Sequence, residues 1–255
     1  MTSRPSIAGT LAAARKRVRE VRDRVTKSEP ETDSEPVEPA DQALEPEPTL
    51  DEQDDPRHRY SGTEGLRGGG IHASEAPILD FWRWAYSDFT DNVNRGVFAE
   101  WMVAKLLGAD CASTRMPWDS CDIVTPEGIR VEVKATGYVQ SWTQTEDGAS
   151  VKPGAARFTR LRGRAWIDAQ QTKVADEETF NADVYVFCLQ ANTDPQTWDA
   201  LDLTQWQFYV LPRSRLEENG SNSIGISRLR QLTGYVHSDR LKEAVFRAYS
   251  KLGDH

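Results

Sequence analysis

Two acidic residues and a lysine lie on either side of a short turn near the middle of the chain. Asp122 falls in the otherwise apolar run Cys121–Val124, and Glu132 and Lys134 alternate with apolar residues in Ile129–Ala135. Strand alternation places Glu132 and Lys134 on one face. Two carboxylates and a strand carbonyl can bind Mg²⁺, and a nearby ammonium can stabilise charge that develops on a phosphate. These residue types predict metal-dependent hydrolysis of a phosphodiester bond.

The turn between the two strands decides whether the carboxylates meet. Pro126-Glu127-Gly128 fits a three-residue connection, with proline starting a type I turn and glycine in the left-handed position. This closure pairs Thr125 with Ile129. It therefore also pairs Asp122 with Glu132 on one face, about 5 Å apart at Cβ. A four-residue loop would place them on opposite faces, and an ordinary strand with an ion-paired surface is the alternative.

A helix before these strands contributes a third acid. The pattern predicts a helix that begins with Asn92 or Asn94 as its cap and ends near Leu107, with Gly108 closing it. Positions 93, 96, 97, 100, 103, 104 and 107 share one face, on which Glu100 is the only polar residue. A buried carboxylate needs a cation or a hydrogen-bond partner, so Glu100 is a candidate site residue. A glutamate that reaches solvent at the helix edge is the alternative.

Taken together, Glu100, Asp122 and Glu132-Val133-Lys134 resemble the motif of the PD-(D/E)xK nuclease superfamily. Asn-Arg-Gly-Val-Phe-Ala-Glu at 94–100, Asp-Ile-Val at 122–124 and Val-Glu-Val-Lys at 131–134 are similar to archaeal Holliday-junction resolvases and Mrr-like endonucleases. The resemblance covers residues 92–140. It implies an α/β fold with a restriction-endonuclease-like core, in which helices flank a central mixed β-sheet.

The resemblance also implies roles for these residues. Asp122, Glu132, Glu100 and the backbone carbonyl of Val133 would bind Mg²⁺ or Mn²⁺, and Lys134 would position the attacking water. Where the family has a proline before the first acid, this chain has a cysteine; Pro117 precedes Trp118-Asp119 instead, so Asp119 is an alternative ligand to Asp122. Gln140 resembles an accessory polar residue of some members, with a surface glutamine as the alternative.

The expected substrate is DNA, and RNA is not excluded because the chemistry acts on the phosphodiester. Residues 57–255 carry a net charge of only −3, which argues against a large nonspecific phosphate-binding face. A local cluster beside Phe158 and Trp166 could still contact nucleic acid, with a solvated loop as the alternative. Its members are Arg157, Arg160, Arg162 and Arg164.

Two segments precede the predicted nuclease-like domain, which comprises residues 57–255. Residues 1–27 have a local charge of +6 and an apolar seam from Ile7 to Val25, which predicts a basic amphipathic helix for a protein partner or for phosphate. A segment that frays alone is the alternative. Residues 28–56 hold twelve acids, six prolines and no base, which predicts a disordered linker.

The remaining pattern predicts further elements of the domain. Aromatic residues in Ile78–Phe89 are expected to cover the core. Strands are predicted at Asp183–Gln190 and Trp206–Leu211, and helices at Ser227–Leu232 and Asp239–Lys251. Three cysteines without close pairing are expected to be reduced apolar residues.

The leading hypothesis is a metal-dependent DNA endonuclease in the cytoplasm, with no membrane segment. A homodimer would suit cleavage of both strands. Repair, defence against foreign DNA, recombination and mobile-element maintenance fit the residues equally. The alternative is a noncatalytic module that binds nucleic acid or protein and retains a nuclease-like fold.

Overall fold

A computed structural model of the chain describes residues 59–68, 76–112, 120–141, 156–166 and 173–252. The fold is mixed α/β, and Ser61–His255 forms one compact unit. The predicted basic segment 1–27 and the acidic linker 28–56 lie outside the described residues. Within the described ranges, none of the helices has the length and apolar character that a membrane span requires.

The elements follow one another in a mixed order of helices and strands. The described helices are α1 (Ile78–Tyr86), α2 (Asn92–Leu107), α3 (Arg213–Asn219), α4 (Ile226–Leu232) and α5 (Leu241–Ser250). Short 3₁₀ turns cover Leu203–Gln205 and Ser238–Arg240. The described strands are β1 (Ile123–Val124), β2 (Arg130–Gly137), β3 (Arg157–Thr159), β4 (Gly163–Trp166), β5 (Val174–Thr179), β6 (Val184–Gln190), β7 (Trp206–Pro212), β8 (Ser223–Gly225) and β9 (Tyr235–Val236).

Five strands form the central sheet in the order β1-β2-β6-β7-β9. Strands β2 and β6 run parallel, and the other neighbouring pairs are antiparallel, so the sheet is mixed as predicted. Nearly every residue of β6 and β7 is buried, because helices or small strands cover both faces of the sheet. Outside it, β3 pairs with β8 and β4 with β5, each antiparallel.

The two faces of the sheet bury two separate apolar cores. On the first, which we call the α2 face, Val103 of α2 and Val245 of α5 pack with Val133 of β2. On the second, the α4 face, Phe187 of β6 packs with Leu229 of α4 and with residues of β3 and β8. Alternating side chains of one strand therefore enter different cores.

The ends of α2 are fixed by a side-chain cap and a glycine. The predicted caps Asn92 and Asn94 are wrong: Asp91 precedes the helix, and its carboxylate accepts from the backbone N–H groups of Val93 at 2.8 Å and Asn94 at 3.1 Å. An aspartate accepts these orphan donors as well as an asparagine does. Gly108 closes the helix with φ of 72°, as predicted.

The aromatic helix α1 does not cover the core, and that prediction is wrong. None of its residues is buried, and Trp84 is 84% exposed. Phe81 and Tyr86 are exposed as well and pack edge to face on each other, with ring centroids 5.9 Å apart. Aromatic content alone could not reveal this, because exposed rings that pack on each other have the same composition as core-covering rings.

The cysteines behave as the sequence predicts. Cys121 and Cys188 are buried, Cys111 is partly buried, and all three are free thiols. Burial raises the pKa of Cys188 well above its ordinary value, so this thiol stays protonated.

Candidate metal and active site

The β1–β2 turn adopts the predicted three-residue conformation. The N–H of Gly128 donates to the carbonyl of Thr125 at 2.8 Å, and Gly128 has φ of 83°. The N–H of Thr125 donates to the carbonyl of Ile129 at 3.0 Å. Ile123 then pairs with Val131. Continued by one residue, this register brings position 122 beside position 132, as the turn predicts.

Asp122 directly precedes β1, and its side chain bonds to the backbone of β2. Its carboxylate accepts the backbone N–H of Val133 at 2.7 Å. The N–H and carbonyl of one residue point to the same edge of a strand, so the Val133 carbonyl points to this edge too. The edge of β2 therefore presents two kinds of oxygen, a carboxylate and a carbonyl.

The carboxyl group of Asp122 is held in an environment that disfavours its charge. Although the residue keeps exposed surface, desolvation by the surrounding protein and repulsion from Glu132 and Glu100 raise its pKa to about 7. Attraction to Lys134 and the Val133 hydrogen bond act in the opposite direction but are outweighed. Two further acids therefore lie within electrostatic reach of Asp122.

Glu132 and Lys134 lie together on the α4 face. In the β2–β6 register Glu132 is opposite Tyr185 and Lys134 is opposite Phe187, and both aromatic residues belong to the core of that face. Lys134 Nζ donates to Glu132 Oε1 at 2.5 Å, and both side chains are mostly buried. Burial raises the pKa of Tyr185, and the negative charge of Glu132 raises it further. Tyr185 is thus a neighbour of the site that the sequence did not reveal.

Glu100 belongs to α2, which packs on the α2 face of the sheet. It therefore approaches the site from the face opposite to Glu132 and Lys134. The predicted stripe is partly wrong: Val93 is 71% exposed, and Arg95 and Ala99 belong to the buried surface instead. The buried surface is therefore rotated relative to the predicted stripe, and Glu100 is only partly buried at its margin. It still lies close enough to raise the Asp122 pKa.

The acids surround one sheet edge but do not converge on one point. Within the part of the chain that the structure describes, no three His, Cys, Asp or Glu side chains form a group that could hold a metal ion. Asp119, the alternative ligand, lies outside the described residues. Mg²⁺ commonly takes one or two carboxylates and fills its other positions with water and phosphate oxygens. The carboxylates of Asp122 and Glu132 and the Val133 carbonyl fit that donor set.

Gln140 is engaged in a structural contact. Its Nε2 donates to the carbonyl of Gly137 at 2.6 Å, and its Oε1 accepts from Arg95 Nη2 at 2.8 Å. Arg95 is 1% exposed and also donates to the carbonyls of Thr90 and Val139 at 3.1 and 3.4 Å. This buried arginine thereby joins the start of α2 to the end of β2. The sequence gives no signal of this role, because the predicted apolar stripe excludes both Arg95 and Ala99.

The four predicted nucleic-acid contacts have different surroundings. The guanidinium of Arg162 lies 4.9 Å from the ring centroid of Phe180 and donates to a backbone carbonyl. Arg164 lies opposite Glu178 in the β4–β5 register. Three of the four are exposed to solvent: Arg157, Arg160 and Arg164.

Comparison of the chain with protein-family models and with curated proteins finds no match.

Proposed function

We propose that this protein is a metal-dependent nuclease with a restriction-endonuclease-like core, a member of the PD-(D/E)xK superfamily, and that DNA is its substrate. The observation that carries the proposal is the Asp122 carboxylate at the Val133 N–H, in a register that places it beside Glu132. The mostly buried Lys134 contacts the same glutamate. Two acids and an ammonium at one edge supply the groups that phosphodiester hydrolysis needs.

The site would hold Mg²⁺ or Mn²⁺ through Asp122, Glu132 and the Val133 carbonyl, with Glu100 supporting the surrounding water. A bound divalent ion supplies Lewis acidity and lowers the pKa of a coordinated water. Desolvation and, after it, repulsion from Glu132 and Glu100 raise the Asp122 pKa. The repulsion supports a cation site, since a bound cation would offset it.

Lys134 is the protein group best placed to act on the phosphate. Its ammonium lies at the end of a flexible stem and is held by one contact to Glu132, so a short movement would bring it to a phosphate oxygen or to the attacking water. There it would stabilise developing negative charge. Asp122 would serve as a ligand in its ionised form, which a bound cation would favour over the protonated form.

The test separates catalysis from metal binding. Purified full-length protein is incubated with duplex, single-stranded and branched DNA, and with RNA, at pH 8 with Mg²⁺ or Mn²⁺. Lys134→Met should abolish cleavage but retain or tighten Mg²⁺ binding measured by calorimetry, because it removes a cation that competes for Glu132. Asp122→Asn should lose both. Lys105→Met, an exposed lysine of α2, is the matched control and should retain both. Cleavage that persists in Lys134→Met and Asp122→Asn would contradict the proposal.

A second candidate is a noncatalytic binding module that retains this fold. The observation in its favour is the ion pair between Glu132 and Lys134. In this pair the carboxylate is bonded to the lysine instead of a metal, and the ammonium is bonded to the glutamate instead of a phosphate. Absence of Mg²⁺ and Mn²⁺ binding in calorimetry, together with intact DNA binding, would favour this candidate.

A further inference from the structure

The layer formed by β3, β8 and α4 packs on the sheet face that carries Glu132 and Lys134. Phe158 of β3 packs edge to face on Phe187, with ring centroids 5.1 Å apart, and Phe187 is the register partner of Lys134. Leu229 of α4 is fully buried in the same core. Strand β3 also contacts β2, so this layer lies beside the strand that carries Glu132 and Lys134.

Three arginines on this layer are exposed and bonded to uncharged groups. Arg157 donates to Ser223 Oγ at 2.8 Å and Arg228 to Asn219 Oδ1 at 3.2 Å. Arg230 donates to the hydroxyl of Tyr209 at 3.0 Å. In the described ranges, none of the three forms an ion pair with an acid.

Some exposed arginines elsewhere in the fold are ion-paired instead. Arg215 of α3 lies 2.7 Å from Glu218, and Arg247 of α5 lies 2.6 Å from Glu243. An intramolecular carboxylate satisfies the charge of each of these side chains. Among the residues that the structure describes, no carboxylate pairs with Arg157, Arg228 or Arg230, so their charge is available to solvent or to an external anion.

Arg230 connects this surface to the strand of the site. Besides Tyr209, it interacts with Tyr138, which follows directly after β2. Tyr138 is four residues beyond Lys134, a separation of about 13 Å along an extended strand. The register gives a second link, since Lys134, Phe187 and Tyr209 are aligned across β2, β6 and β7.

We infer that Arg157, Arg228 and Arg230 form a phosphate-contacting surface, the α4 arginine surface, which holds the nucleic-acid backbone beside the candidate site. The inference rests on the proposed function and adds the location of the substrate. Arginine suits this role because its planar fork matches phosphate oxygens. Contacts to phosphate carry no base identity, so this surface positions the substrate without selecting a sequence.

The test measures DNA binding without cleavage. Full-length protein is titrated into a fluorescent 30-base-pair duplex in EDTA, and separately in Ca²⁺, over a series of NaCl concentrations. Each phosphate contact contributes about 1 to the slope of log K against log salt. The slope is negative, and Arg228→Gln and Arg157→Gln should each reduce its magnitude by about 1. The double variant should reduce the magnitude by about 2 and bind at least roughly tenfold more weakly at low salt.

Matched controls make the result specific. Arg215→Gln and Arg247→Gln remove exposed but ion-paired arginines and should leave the slope unchanged. Arg230→Gln also loses the Tyr209 contact, so its melting temperature is measured beside its binding. Arg157→Gln loses one exposed hydrogen bond to a neutral group, and Arg228→Gln loses two. An unchanged slope in these two folded variants, or no DNA binding by the parent protein, would overturn the inference.

The two proposals fail in distinguishable ways. If the arginine variants show the expected reduction in slope but the parent protein does not cleave in Mg²⁺ or Mn²⁺, the nuclease proposal is refuted and the α4 arginine surface is supported. Cleavage that depends on Lys134, with an unchanged slope in the arginine variants, would refute the surface and leave the nuclease standing.

Discussion

Replacement of Asp122 by asparagine should stabilise the metal-free protein at pH 8. Desolvation and the charges of Glu132 and Glu100 raise the pKa of Asp122 to about 7 in the folded state, compared with about 3.9 in the unfolded chain. Between about pH 3.9 and about pH 7, Asp122 keeps its proton in the folded state but has lost it in the unfolded chain. The free energy of unfolding therefore falls as pH rises through 7, and asparagine removes this loss.

The size of the effect follows from the shift and from the exposure of the residue. A rise of about 3 pKa units corresponds to about 4 kcal/mol if none of it is screened. Since Asp122 retains exposed surface, solvent screening reduces this to about 1–2 kcal/mol. Asparagine keeps an oxygen that can accept the Val133 N–H, so the hydrogen bond at 2.7 Å need not be lost.

Urea denaturation in EDTA at pH 8 and at pH 4 provides the measurement. Asp122→Asn should unfold at higher urea than the parent at pH 8. The difference should be much smaller at pH 4, where the folded state is protonated and roughly half of the unfolded state is as well. Asp176→Asn, an exposed acid of β5, should show no such pH-dependent gain. Mg²⁺ should stabilise the parent at pH 8 but not Asp122→Asn. Equal stability of parent and variant at both pH values would refute the argument that the acids crowd one another.

Three further predictions concern stability. Arg95→Met should lower the free energy of unfolding in urea by about 2–4 kcal/mol, because it removes the buried guanidinium that donates to the Val139 carbonyl and to the Gln140 side chain; a loss below about 0.5 kcal/mol would contradict this. Gly128→Ala should cost about 1 kcal/mol in the same assay because φ is 83°, whereas an unchanged midpoint would argue against the turn geometry. Trp84→Ser should change the unfolding free energy by less than about 0.5 kcal/mol, since Trp84 is 84% exposed, and a larger loss would place its ring in a core.

The hairpin could be predicted from the sequence because its signals are local. Proline, glycine and the alternating valines specify the turn, the register and the inward face together, and Gly128 has the positive φ that this turn requires. The strands Val184–Gln190 and Trp206–Pro212 were also predicted to within one residue at each end. A continuous apolar run is a strong signal of a strand with both faces covered.

The surroundings of the site could not be predicted, because they depend on contacts between distant residues. The spacing of apolar residues in α2 predicts a stripe that excludes Arg95, whereas the structure buries Arg95 and exposes Val93, because long-range contacts to the end of β2 satisfy the guanidinium. Strand β5 has mostly exposed residues and lacks an apolar alternation. The α4 arginine surface joins residues about seventy positions apart, and no local pattern relates them.

The acidic edge is unfavourable for the stability of the protein alone, which bears on its function. A half-exposed structural strand would be better served by acids paired with cations, as Arg130 and Asp183 are at the start of β2 and β6, 3.2 Å apart. Among the described residues, Lys134 is the cation that lowers the Asp122 pKa, but it is bonded to Glu132 instead, and the repulsion outweighs the attraction. Perturbed acids of this kind are enriched at sites that bind or react. The pH-dependent gain expected for Asp122→Asn is therefore also a test of whether this edge is built for a ligand.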